Sequence, residues 1–340
     1  MTRTLDSEQT RRSQTINILR GAAAIAVCLF HFNEPYPTLD DPYHQLVQLG
    51  WLGVPVFFVI SGFCISGAAE RDAFGPYFVR RLLRIYPPYW ASVILVMLLI
   101  TIRWISFGVN DYIEFPTSVT GWIWTVLAIT EPASEIPAIN WVYWSIAYEL
   151  AFYLLLGFAT ARTSPLLIIG VTIIPLITST FPFDNWGMFA SGVGCHWIVT
   201  GRVRSGLILF TLVALSITGQ PIGLPQAATM ISIAVIIVPP PKWITGPLSP
   251  LGRAGNYSYS LYLIHVPIGC FLLSKFVNQM LGRESFIATV TGDVILLAAC
   301  LGFAWGFFRL IEAPSHDFAR KLARQKRLFS GESERQLKTK

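Results

Sequence analysis

The chain has 340 residues, 53% of them hydrophobic and only 13% charged, with a net charge of +6 and a mean hydropathy of +0.55. Such a composition excludes an ordinary soluble globular domain and a disordered chain; runs of about 20 apolar residues, enough for a helix to cross a hydrocarbon core about 30 Å thick, recur throughout. The positive charge does not point to nucleic acid, because its largest excess, "RKLARQKR" (320–327), directly follows the last apolar run, where an anchor against anionic membrane lipids explains it.

Ten spans are predicted: 16–33, 46–67, 87–107, 140–161, 164–182, 186–200, 205–220, 224–239, 256–277 and 285–309. The polar stretch 1–15 carries Arg3, Arg11 and Arg12, and no small-residue cleavage site follows the first apolar run, so that run reads as a retained span. Within "INILRGAAAIAVCLFHF" (16–32), Arg20 and His31 are eleven positions apart. At about 100° and 1.5 Å per residue they share one helix face roughly 16 Å apart. The second span, "GVPVFFVISGFCISG", supplies Gly53, Gly62 and Gly67 with Ser61, a pattern for close helix packing or, alternatively, for the lining of a ligand tunnel.

Next, "YFVRRLLRIYPPYW" places Arg80, Arg81 and Arg84 on a short amphipathic segment. Arg81 and Arg84 are three apart and face the same way, so their guanidinium groups can clamp phosphate; a snorkelling, lipid-binding helix is the alternative. With Arg20 they outline an inner-face site for a phosphorylated ligand whose reactive end reaches up to His31. "GWIWTVLAIT" (121–130) makes only about 15 Å of helix and is read as re-entrant or interfacial on the outer side. Trp141, Tyr143 and Trp144 open the fourth span as an interfacial belt or a stacking surface for a sugar, ahead of Glu149. The ninth span holds Tyr259 and His265 within "YSYSLYLIH". Cys28, Cys64, Cys195, Cys270 and Cys300 lie in apolar runs without Cys-x-x-Cys spacing and read as packing residues, with no disulfide and no metal site.

With the N-terminus cytoplasmic, only Arg103, Lys275 and Arg283 of the 25 Lys and Arg residues fall near the outer face, whose loops instead hold Glu34, Asp40, Asp41, Asp111, Glu114, Glu131, Glu135 and Asp184. The predicted fold is thus all-α: a polytopic membrane bundle of about ten transmembrane helices with both termini cytoplasmic. It divides into a cytoplasmic segment (1–15), a transmembrane domain (16–311) and a basic cytoplasmic tail (312–340). Ionisable groups inside a bilayer cost several kcal/mol unless paired or hydrated. His31, Glu149 and His265 are expected at similar depth, a histidine and a carboxylate forming a general base and its orienting partner. The plainer alternative is that they satisfy each other and fix helix packing.

Six stretches in order, "LRGAAAIAVCLFHF", "GVPVFFVISGF", "RRLLRIYPPYW", "YWSIAYELAFYLL", "GNYSYSLYLIHVPI" and "IEAP", span residues 19 to 314, and together they resemble the acyltransferase-3 family of integral membrane acyl- and acetyltransferases. The resemblance implies a ten-span helical core in the bacterial cytoplasmic (inner) membrane. It implies transfer of an acyl group, most often acetyl, from cytoplasmic acyl-CoA to a hydroxyl of an extracytoplasmic or lipid-linked glycan. It further implies that Arg20 and His31 are the essential pair, that Arg81 and Arg84 match the family's Arg-x-x-Arg, and that Glu149 matches its acidic residue. Two departures stand out: Leu150 replaces the second acidic residue of many relatives, and the chain lacks an appended hydrolase-like domain, so it is expected to act alone or with a separate partner.

The resulting expectation is an acetyl-CoA-dependent O-acyltransferase with no bound cofactor. Arg20, Arg80, Arg81 and Arg84 would hold the acyl-CoA, His31 would act as base with Glu149, and His265, Tyr259, Ser61 and Trp144 are candidate substrate contacts. Arg20 and His31 should be two ends of one tunnel. The rival readings are a transporter or lipid-linked glycan flippase, and a membrane scaffold without chemistry.

Overall fold

The computed structural model describes residues 2–36, 41–107, 115–161, 165–178, 180–216, 223–282 and 285–322. Asp40, Asp111, Glu114, Arg283 and the basic tail beyond residue 322 lie outside this set. The regular structure among the described residues is helical, with no strand. The principal helices are α1 (Thr2–Asn33), α2 (Gly53–Arg71), α3 (Phe74–Phe107), α4 (Trp144–Ala161), α5 (Trp186–Val199), α6 (Val203–Ser216), α7 (Leu224–Ile237), α8 (Ser258–Leu281) and α9 (Phe286–Leu322). Six helical segments, those of α1 to α4, α8 and α9, are long and apolar enough to cross a membrane. The remaining predicted spans are helical but short: Leu166–Leu176, α5, α6 and α7. At 1.5 Å per residue each makes only about 15 to 20 Å of helix, less than a hydrocarbon core.

Two predicted boundaries move. Residues 2–15, expected as a separate segment, continue α1, and the basic stretch before the third span is the first part of the 34-residue α3, which runs on through Pro87 and Pro88. The segment predicted over 121–130 is the eight-residue helix Val119–Val126, too short to cross. It lies along α3, where Tyr86, Tyr89 and Trp90 donate to the carbonyls of Leu127, Thr125 and Val126 at 2.8, 2.6 and 2.9 Å. Those are among the C-terminal carbonyls that a helix leaves without an internal partner.

Glycine sets the closest approaches. A Cβ on Gly62 would lie 2.0 Å from the Phe189 carbonyl oxygen, and one on Gly192 would lie 2.0 Å from that of Val59, so α2 and α5 cross in backbone contact. Gly21 and Gly255 do the same between α1 and the short helix Ser249–Gly255, with approaches of 1.9 Å to the Leu251 and Asn17 carbonyl oxygens. The second-span glycines are therefore packing residues, as small residues commonly are between membrane helices. All five cysteines are free thiols.

Helix α8 is irregular where it matters for the site. Pro267 lacks an N–H and its ring crowds the carbonyl four residues back, that of Leu263. The backbone widens into a π-helix over His265–Leu273, and the Ser92 hydroxyl, itself bonded to the Tyr143 hydroxyl at 2.6 Å, donates to the Leu263 carbonyl at 3.1 Å.

Candidate active site

Arg20, on α1, enters a cavity of about 70 Å³ that is also lined by Ser61 of α2, Arg84 of α3, Glu149 of α4, and Tyr259 and Tyr262 of α8. Arg84 and Glu149 lie within electrostatic reach of Arg20, and Arg20 Nε is buried without a hydrogen-bond partner. Glu149 accepts from the Tyr153 hydroxyl one turn along α4. Behind the arginines, buried Glu312 of α9 accepts from the Ser260 N–H at 3.1 Å and the Ser260 hydroxyl at 2.5 Å, and is an electrostatic neighbour of both Arg84 and Arg20. Two guanidinium groups and the Glu149 carboxylate thus share one partly apolar chamber, with an unpaired donor in it and Glu312 behind the arginines.

The predicted arginine cluster divides. Only Arg84 joins Arg20. Arg81 lies over the rings of Tyr77 and Tyr153 at 5.7 and 5.5 Å, and Arg80 pairs with Asp72. The 100° step per residue turns Arg80 away from Arg84, and Arg81, one turn before Arg84 on the same side of α3, is held off the cavity by the Tyr77 and Tyr153 rings.

His31 opens onto a different pocket, of about 470 Å³, together with Tyr36, Arg103, Trp141, Lys275 and Asn278. Its Nδ1 is 3.0 Å from a carboxylate oxygen of Glu34. A carboxylate only accepts, so Nδ1 carries the proton, and it is Nε2 that holds the lone pair in the neutral ring. The His31 hydrogen bond holds the Glu34 carboxyl below its ordinary range.

The expected His31–Glu149 pair is not formed. Trp141, next to His31 at 6.2 Å between ring centroids, lies eight residues, or about 12 Å of helix, before Glu149, which puts Glu149 at the level of Arg20. The expectation set His31 at mid-depth, whereas it stands two residues from the end of α1.

Nor do Arg20 and His31 line one tunnel. The layer between the pockets contains Tyr262 and His265. Tyr262 faces the arginine chamber and bonds to Ser145 and to the Val142 carbonyl. The His265 ring lies 5.9 Å from that of Tyr262 and 5.3 Å from that of His31. His265 is fully buried, its Nδ1 is 2.8 and 3.1 Å from the carbonyl oxygens of Tyr262 and Leu261, and its Nε2 has no partner. Trp144 lines neither pocket but packs edge-on against Phe58 and Tyr148, at 6.3 and 5.6 Å, while Trp141 takes the place beside His31.

Sequence reasoning missed Glu34, although its spacing of three from His31 on a helical run was a usable signal. It quoted Glu312 within "IEAP" without giving it a role, and it left Tyr153, one turn after Glu149, unremarked.

The acyltransferase domain family matches residues 14–309. The acyltransferase MdmB of Streptomyces mycarofaciens is 24% identical over 332 residues, covering 80% of this chain and 82% of its own. A putative acetyltransferase, ORF330 of the Acidianus two-tailed virus, is 35% identical over 81 residues, 24% of this chain and 23% of its own. No solved structure matches the chain. A family match across most of the length, on a helical chain with six segments fit to cross a membrane, makes this a multi-pass membrane acyltransferase, and the chain belongs to the acyltransferase-3 family.

Proposed function

We propose that the protein carries an acyl group, acetyl by the family's commonest choice, from cytoplasmic acyl-CoA to a saccharide hydroxyl on the opposite side of a bacterial cytoplasmic membrane. The observation that carries this reading is the His31–Glu34 pair, which leaves an imidazole lone pair facing an open pocket on the same helix that places Arg20 in a second chamber. In the reaction, His31 Nε2 takes the acceptor hydroxyl proton as the oxygen attacks the thioester carbonyl carbon. The tetrahedral adduct expels the CoA thiolate, which recovers a proton from the imidazolium. Glu34 holds the tautomer and faces the imidazolium as it forms. Arg20 and Arg84 hold anionic groups of the donor, and Glu149 and Glu312 keep the two guanidinium groups apart and oriented.

The thioester must then pass the layer of Tyr262 and His265. His265 keeps an unpartnered acceptor there, and π-helical segments such as the one it begins are frequent at functional sites. No bound cofactor enters the scheme, and acyl-CoA is a substrate.

Labelled acetyl-CoA, supplied to the purified protein in lipid nanodiscs with a surface-glycan extract, tests the reading. Free CoA thiol should appear in step with label on the glycan, and His31→Ala, eluting and melting like the wild type, should lower both by about 10² to 10⁴. Movement of the glycan across the bilayer with no thioester consumed would contradict it.

A further inference from the structure

A short column of rings separates the arginine chamber from the His31 pocket, and His265 stands in it, fully buried. Its Nδ1 faces the carbonyl oxygens of Tyr262 and Leu261 at 2.8 and 3.1 Å. Carbonyls only accept, so Nδ1 carries the proton and Nε2 is an acceptor. That Nε2 is buried with no hydrogen-bond partner among the described residues. The polar rings on either side have no proton to give it. His31 donates from Nδ1 to Glu34 and holds a lone pair at its own Nε2. The Tyr262 hydroxyl donates to the Val142 carbonyl, which leaves Ser145 to donate to that hydroxyl at 2.8 Å. A buried acceptor is costly until a donor reaches it, so a ligand that crosses this layer should bring one.

Acyl-CoA has such a donor at a matching distance. Its thioester only accepts, and the first donor beyond it along the pantetheine arm is an amide N–H, whose nitrogen lies four bonds from the thioester carbonyl carbon, about 5 Å when extended. The His265 ring centroid lies 5.3 Å from that of His31. The second amide nitrogen follows four bonds later, roughly 10 Å from the carbonyl carbon, and is out of reach. We propose, resting on the acyl-transfer reading, that His265 Nε2 accepts a hydrogen bond from the sulfur-proximal amide N–H of the pantetheine arm and so fixes the depth at which the thioester meets His31.

Equilibrium binding of three unreactive thioethers to the protein in nanodiscs tests this: S-ethyl coenzyme A, the same molecule with an ester oxygen in place of the sulfur-proximal amide N–H, and the same molecule with that change at the second amide. The first should bind about tenfold more tightly than the second, which loses the N–H and sets an oxygen lone pair against Nε2, and about as tightly as the third. His265→Leu should bind the first and second alike, and His265→Gln, whose amide oxygen accepts, should restore part of the difference. The comparison of probes on the wild type needs no variant, so a substitution that disrupts α8 leaves the test standing. Equal binding of the first and second probes by the wild type, a preference that resides in the second amide, or a preference that survives in folded His265→Leu would overturn the proposal. Turnover of acetyl-CoA by the wild type separates the two readings: discrimination without CoA release would remove the acyl-transfer reading alone, and CoA release without discrimination would remove the amide contact alone.

Discussion

In the proposed reaction His31 serves as the base because of what its other nitrogen touches. With Nδ1 committed to Glu34, the reactive lone pair on Nε2 is set by one hydrogen bond at 3.0 Å. Glu34→Gln keeps the size of the side chain but offers an amide, which accommodates either tautomer, so acyl transfer should fall by about tenfold or more while folding is retained. The pair also gives a pH signature. The His31 bond lowers the folded-state pKa of Glu34 below its ordinary 4.5, so the bond's contribution is complete above about pH 4.5 and is lost as pH falls through the lower, folded value. The difference in unfolding midpoint between wild type and Glu34→Gln should close as pH falls below about 4.5 and Glu34 is protonated. A difference that persisted unchanged through that fall would contradict the pairing.

Legibility at this scale was uneven for a physical reason. Spacing along one helix locates residues on a common face, as it did for Arg20 with His31 and would have done for Glu34. Which helices lie at the same height is set by packing between segments far apart in sequence, and there the assignment of Glu149 to His31 failed.

Helix contacts here are set by glycine more than by bulk. The α2–α5 crossing leaves no room for a methyl group, since the atoms in the way are backbone carbonyl oxygens that cannot rotate aside. Gly62→Ala should therefore lower the thermal midpoint in detergent, by an amount corresponding to about 1 to 3 kcal/mol or more, by forcing the two backbones apart. Gly75→Ala, where a Cβ would meet nothing within 4 Å, should leave the midpoint unchanged or slightly raised. Equal melting of the two variants would contradict the close crossing. The positions of the helices were readable from hydrophobic runs, because any segment that fills an apolar environment must satisfy its backbone internally. Their lengths were less so: polar residues 2–15 continue α1, and apolar residues 165–237 break into pieces too short to span alone. Helical propagation and capping decide such ends, and hydropathy does not record them. The π-helical turn at His265 was foreshadowed only by Pro267 two residues later.

Across the whole molecule, the proposed reaction divides its chemistry between the two pockets by position. The arginine chamber and the His31 pocket lie at different levels along α1, about 16 Å apart by helix rise, with Tyr262 and His265 between them. The reading requires them to open toward opposite sides of the membrane. In a background lacking Cys270, the variants Gln279→Cys and Asn256→Cys sit toward opposite ends of α8, and an impermeant maleimide applied to intact cells should label the first and spare the second. Labelling of both, or of the second alone, would overturn the assigned orientation. The charge bias that predicted this sidedness also brought Arg103 and Lys275 to notice as exceptions, although their meeting in one pocket was a tertiary fact beyond the reach of local pattern.

The central claim is a division of labour along one helix, with Arg20 holding the donor and His31 performing the transfer. Steady-state kinetics of Arg20→Ala and His31→Ala against acetyl-CoA tests it most directly. Arg20→Ala should raise KM for acetyl-CoA roughly tenfold or more while kcat stays within about threefold, and His31→Ala should lower kcat by about 10² to 10⁴ with KM nearly unchanged. Wild-type kinetics in either folded variant, or the same loss of kcat in both with no change in KM, would contradict it.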